Sequence, residues 1–115
     1  MPAYMIARAT ITDREKFEKD FMPAVAAAFG PYGAKLLAQS DDVRTLVGSD
    51  HLDHLAIAEF PSHDAAVACA NSAEFRHAVK VSETCITNHF IRLIDGVPQN
   101  FGEQALMPDA AMANA

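Results

Sequence analysis

Basic residues are scarce in this chain: nine Lys and Arg stand against fifteen Asp and Glu, a formal net charge of -6. No stretch clusters the bases, so a nucleic-acid backbone would be repelled rather than gripped, and no nucleic-acid partner is expected. Glycine is scarce too. Its five residues are scattered at turns and none forms a phosphate-cradling loop, so no nucleotide is called for and the expected cofactor set is empty. There is no Trp, and Cys69 and Cys85 have neither close spacing nor companions, which reads as reduced thiols rather than a disulfide framework. Neither Ser62 nor Ser72 sits in a Gly-x-Ser-x-Gly elbow, so a serine hydrolase is not suggested. Long apolar runs are also missing: nothing approaches the ~18 to 20 residues of a membrane span. The opening residues lack a basic leader and are interrupted by Arg8 and Asp13, so the expected setting is the cytoplasm.

What is present is a 115-residue chain with 50% hydrophobic and 21% charged residues, the balance of one folded domain. Its most informative stretch is Leu55 to Ala66, Leu-Ala-Ile-Ala-Glu-Phe-Pro-Ser-His-Asp-Ala-Ala. The apolar run has strand length, Pro61 cannot continue a ladder, and Ser62 can cap a helix beginning at His63. Glu59 is the exception inside that run. A carboxylate among aliphatics must face water, a cation or a ligand, because an isolated buried charge costs several kcal/mol or neutralises itself.

The remaining elements fall into order around this stretch. Residues 3 to 10 alternate, with Tyr4, Ile6 and Arg8 on one face and the small side of Ala3, Met5, Ala7 and Ala9 on the other, leaving room for a helix. Thr12-Asp-Arg-Glu15 has the form of a capping box, and Phe17, Phe21, Ala24, Val25, Ala28 and Phe29 follow at helical spacing. Pro23 inside that helix predicts a kink or a restart. Ala34 to Gln39 and Val43 to Val47 predict a small hairpin, then a polar loop precedes the strand His54 to Phe60. A helix from Ser62 pauses at Asn71-Ser72 and restarts, and a last strand spans Asn88 to Ile94. The order predicts an α+β domain over residues 1–97, a ferredoxin-like βαββαβ sandwich with an antiparallel sheet and helices on one face. Its other face would carry Tyr4, Ile6, Leu55, Ile57, Phe90 and Ile94, enough apolar surface to predict a homodimer. Residues 98–115 have no clear period and read as a flexible or partner-wrapping tail.

Ala58-Glu-Phe-Pro-Ser62, Ala65-Ala66, Asn71-Ser-Ala-Glu-Phe75 and Ile91-Arg-Leu-Ile-Asp-Gly96 together resemble the family called domain of unknown function 1330, as do Tyr4 to Glu15 and the Tyr32-Gly33 turn. The resemblance spans about residues 3 to 97 and implies a dimeric α+β barrel. That superfamily also holds cofactor-free isomerases and monooxygenases, haem enzymes and small-molecule sensors. Two positions depart from the family's habit: His51 replaces an aromatic, and Phe75 replaces a tyrosine, which removes a hydroxyl.

Arg8, Glu59 and Arg92 lie on three strands that this topology sets side by side, all facing away from the helices. In one reading the arginines hold a substrate oxyanion while Glu59 moves a proton, as in a cofactor-free isomerase, cyclase or monooxygenase. In the other they form an ion-pair network at the dimer face of a non-enzymatic ligand-binding or dimerisation module. His51 and His54, three apart, are weak metal candidates that lack a third ligand. His77 is the candidate axial ligand of a haem-binding barrel if it faces the sheet. His89, sharing the side of Ile91 and Leu93, would border a pocket between sheet and helices as a reserve acid/base group.

Overall fold

Alternation in the first strand survives intact in three dimensions. In a computed structural model, which describes residues 1–49 and 53–97, β1 spans Ala3–Ile11, with Ala3, Met5 and Ala9 buried and Tyr4, Ile6 and Arg8 only half-buried. Asp13, not Thr12, caps the following helix: its carboxylate accepts the Lys16 N–H at 3.1 Å. The Thr12 N–H donates to the Cys85 carbonyl at 2.8 Å, which holds Thr12 at the strand end.

The helical segment then runs as α1 (Arg14–Lys16), a π-helical turn over Phe17–Phe21, and α2 (Met22–Phe29). Pro23 sits in the first turn of α2, the restart expected of it. Proline offers no N–H to the turn below, and the wider turn is closed instead by the Met22 N–H on the Phe17 carbonyl. A short 3-10 turn, Gly30–Tyr32, ends at Gly33, whose φ of 75° is the left-handed conformation glycine adopts at little cost.

β2 (Lys35–Ser40) and β3 (His54–Phe60) form the hairpin, joined by a long connection. The expected strand over Val43 to Val47 is not formed. Leu46 and Val47 are 92% and 94% exposed, so no neighbouring strand rewards their extension. Ser62 and Ser72 cap α3 (His63–Ala70) and α4 (Ala73–Ser82) by accepting the Ala65 and Phe75 N–H groups, each at 3.1 Å. β4 (Ile86–Asp95) begins two residues before its expected start.

All strand pairs are antiparallel in the order β2-β3-β1-β4, the ferredoxin-like arrangement, with the helices on one face. Paired positions share a face, so Ile6 with Ile57, Tyr4 with Ile94 and Arg8 with Phe90 place the expected apolar set on the open side. On the covered side the core divides in two. Ala3, Met5, Ala58, Phe60, Ala66 and Cys69 make one cluster; Ala9, Phe17, Cys85 and Ile86 make the other. Both cysteines are buried and unpaired, and burial pushes the Cys69 thiol up to about 11. Among the described residues no helix is long and apolar enough to cross a membrane. The tail over 98–115 and His51 lie outside the described residues.

Candidate functional site

Between the two core clusters the sheet presents Ala7 opposite Ala56, and neither is buried although both face the helices. A methyl group reaches too short a distance to meet the helical layer, so the interior stays open there. The result is a cavity of about 210 Å³, floored by Ala7, Ala9, Ala56 and Ala58 and roofed by Phe17, Phe21, Met22, Val25 and Phe29. The wider π turn delivers Phe17 and Phe21 to the same roof, their ring centroids 5.4 Å apart. Protein interiors are ordinarily filled to crystal-like density, and a mostly apolar hollow of this kind is suited to an apolar molecule.

One end of the cavity is polar. His54, 6% exposed at the start of β3, lines it together with Gln39 of β2. The His54 Nδ1 lies 2.7 Å from the Asp41 carboxylate, and its Nε2 lies 3.2 Å from the Gln39 amide nitrogen. A carboxylate only accepts, so the Nδ1 carries the proton, and the Nε2 lone pair then accepts from the Gln39 amide. Asp41 is held in turn by Arg14, at 3.1 Å. The His54 hydrogen bond, with Arg14 adding to it against a burial effect of opposite sign, holds the Asp41 carboxyl below its ordinary value. Phe17 meets the imidazole edge-on at 5.3 Å, so the ring is fixed from a third side.

The sequence singled out His54 only as half of a weak metal pair and passed over Asp41 and Gln39. Parity held the missing signal: His54 shares its strand face with Ala56, Ala58 and Phe60, hence points into the domain. Among the described residues no group of three His, Cys, Asp or Glu converges as a metal site.

The three residues first singled out do share the open face, but the subunit does not gather them. Glu59 pairs with Tyr4, whose hydroxyl donates to its carboxylate at 3.2 Å, while Lys35 stands across from it on β2. Burial, then that hydrogen bond and the carboxylate charge, push the Tyr4 phenol up. Arg8 and Arg92 collect instead around Phe90, with guanidinium carbons 5.9 and 4.2 Å from the ring centroid. Glu59 stands level with Tyr4 and Arg92 with Ile6, while Arg8 is four residues beyond Tyr4, roughly 13 Å of strand. Beyond Arg8 the β1–β4 register slips, with Asn88 at a φ of 50°, and through this opening the cavity lining also reaches Arg8 and Phe90.

The two reserve histidines part company. His89 borders a second, shallower hollow with Met5, Phe75, Val79 and Leu93, on the helix side as expected. His77 does not face the sheet. It is exposed in an outer groove beside Ala24 and Ala27 of α2, while Ala78 and Ser82 take the inward positions of α4. An axial haem ligand inside the domain is therefore not available from this residue.

The family model described as Domain of unknown function (DUF1330) matches residues 2–97. The chain belongs to this family. No curated protein matches it. Among solved structures, the DUF1330 domain is similar to RPA0582, a protein of unknown function from Rhodopseudomonas palustris, with TM-score 0.68, 21% identity, and coverage of 84% of this chain and 83% of that one. A dimeric ferredoxin-like protein of unknown function from Thermobifida fusca gives TM-score 0.59 at 15% identity, over 84% and 92% of the two chains. SnoaB, a cofactor-independent oxygenase from Streptomyces nogalater, gives TM-score 0.58 at 19% identity, over 85% and 95%. At these identities the likeness concerns the fold, and the chemistry has to be argued from the site.

Proposed function

We propose that this DUF1330 protein is a homodimeric small-molecule-binding domain whose apolar organic ligand occupies the cavity between sheet and helices. The observation that carries this reading is the alanine floor beneath an aromatic roof, a hollow between sheet and helices with His54 and Gln39 at its polar end. A cofactor-free enzyme fits the same geometry, and the resemblance in fold to SnoaB is compatible with it.

The open face supports the dimer. Ile94 is 51% exposed there, beside Tyr4, Ile6, Leu55, Ile57 and Phe90, and a second copy is the simplest cover. A two-fold axis running across the strands at the level of Ile6 and Ile57 lays the Glu59 end of one copy over the Arg8 end of the other, with Arg92, the partner of Ile6, close to the axis. In that arrangement the three charged residues serve the interface. The acid/base role for Glu59 remains a second reading, favoured by the Tyr4 hydroxyl on its carboxylate. The unpaired, buried cysteines support a reducing, cytoplasmic setting.

Two measurements test the proposal. An apolar fluorophore such as 1-anilinonaphthalene-8-sulfonate is expected to bind native wild-type protein saturably and to be lost from Ala56→Leu, whose side chain fills the floor. Equal binding to both proteins places the dye elsewhere and defeats the cavity reading. Sedimentation equilibrium is expected to give twice the subunit mass, reduced in Glu59→Gln, and a monomer at all concentrations would remove the dimer.

A further inference from the structure

We infer that His54 is a general base, oriented by Asp41, for proton transfer from a flat, apolar carbon acid bound in the cavity. The inference rests on the ligand-binding reading above and adds a reaction to it. Three observations carry it. The imidazole is buried in the cavity wall with its Nδ1 proton committed to Asp41 at 2.7 Å, which leaves the Nε2 lone pair, held by the Gln39 amide, as the basic site. Among the described residues, the side-chain amide of Gln39, an exposed residue on an edge strand, hydrogen-bonds that lone pair at 3.2 Å. The Asp41 carboxylate also meets the Arg14 guanidinium at 3.1 Å, so the group behind the imidazole is a paired carboxylate that can stabilise the imidazolium that forms. A histidine that merely tied down the loop would need the Asp41 contact. It would not need its second nitrogen turned toward an apolar hollow.

The chemistry closes without a co-reactant. Nε2 takes a proton from a carbon next to a carbonyl, the C–H electron pair becomes a C=C bond to the carbonyl carbon, the C=O π pair moves onto oxygen, and the Gln39 N–H, displaced from the ring, donates to the resulting oxyanion. Where a second C=C bond is conjugated with the enolate, return of the same proton to its far (γ) carbon shifts the double bond, re-forms the carbonyl, gives an isomer of the substrate and regenerates neutral His54. The substrate class follows from the lining: Phe17, Phe21 and Phe29 favour a planar or aromatic body, and the one polar end admits a single enolisable or phenolic function.

A generic carbon acid tests this without knowledge of the natural substrate. In 5-nitrobenzisoxazole, a base removes the ring C–H proton, the electron pair forms the nitrile, and the N–O bond breaks to a coloured phenolate. Wild-type protein is expected to accelerate this saturably, and His54→Gln to lose roughly 100-fold or more in kcat. Asp41→Asn, altered at a half-exposed position and so safe for folding, is expected to lose at least about tenfold in kcat with KM unchanged, since it positions the base and does not meet the probe. Nitrogen NMR of His54 should show the proton on Nδ1 in wild type and redistributed in Asp41→Asn. His77→Asn, in the outer groove, should match wild type. Saturable binding of the probe with equal rates in wild type, His54→Gln and Asp41→Asn overturns the inference while leaving the ligand site intact. Absence of any binding to wild type removes the ligand site, and the inference with it.

Discussion

Replacing Ala56 by Leu should stabilise this protein, the reverse of what such a change does in a filled core. Ala56 lies on β3 in the cavity floor, paired with Ala7, and Val25 and Phe29 are among the residues that line the same hollow. Leucine adds three carbon groups, and at about 0.8 kcal/mol for each buried one the ceiling is ~2.4 kcal/mol. The cavity is partly open to solvent, so about 1 to 2 kcal/mol of the ceiling should be realised. In a close-packed interior the same insertion costs about 1 to 3 kcal/mol through strain, so the two pictures differ in sign and not merely in size. Urea unfolding reads the difference directly. With a slope of about 2 kcal/mol per molar, the midpoint should rise by roughly 0.5 to 1 M at unchanged slope. A midpoint lowered by a comparable amount would show that the hollow is already closed in solution, and the argument for a ligand there would fail.

Three further outcomes follow from the geometry. Because the His54 hydrogen bond and Arg14 depress the Asp41 carboxyl, the stability it contributes is fully present above the ordinary carboxylate value of about 3.9 and drains as pH falls through its lower folded value; acid unfolding of Asp41→Asn should lack that part of the slope. Cys69, with its thiol raised to about 11 and its Sγ donating to the Ala28 carbonyl at 3.4 Å, should resist Ellman's reagent at neutral pH until the protein is unfolded, and rapid labelling of native protein would contradict its burial. Ser62→Ala and Ser72→Ala should each cost about 1 kcal/mol by urea unfolding, since each removes the side-chain acceptor at a helix start, and a loss within error would mean that water replaces it.

Local chemistry explains what could be read in advance. Ser62 and Ser72 cap the helices assigned to them because a cap needs only the three residues that follow it. The faces of β1 and β3 were legible from alternation, which a strand cannot evade without a bulge. The misplaced strand over Val43 to Val47 shows the limit of the same logic, since its apolar residues had no partner strand to meet. His77 failed for a related reason. Helical periodicity says which residues share a side but leaves open which side the sheet will occupy, and packing of α2 against α4 turned this one outward.

Sequence alone settled the α+β order, the family and the two faces of the sheet, because these depend on period, caps and motifs that neighbouring residues carry with them. It also marked Glu59 as anomalous, though not that its companion would be the Tyr4 hydroxyl. The cavity and its histidine belong to tertiary structure. Asp41 and His54 are thirteen residues apart and meet only through the β2–β3 pairing, and a hollow is a failure of distant surfaces to touch, for which a one-dimensional chain has no symbol beyond a run of alanines.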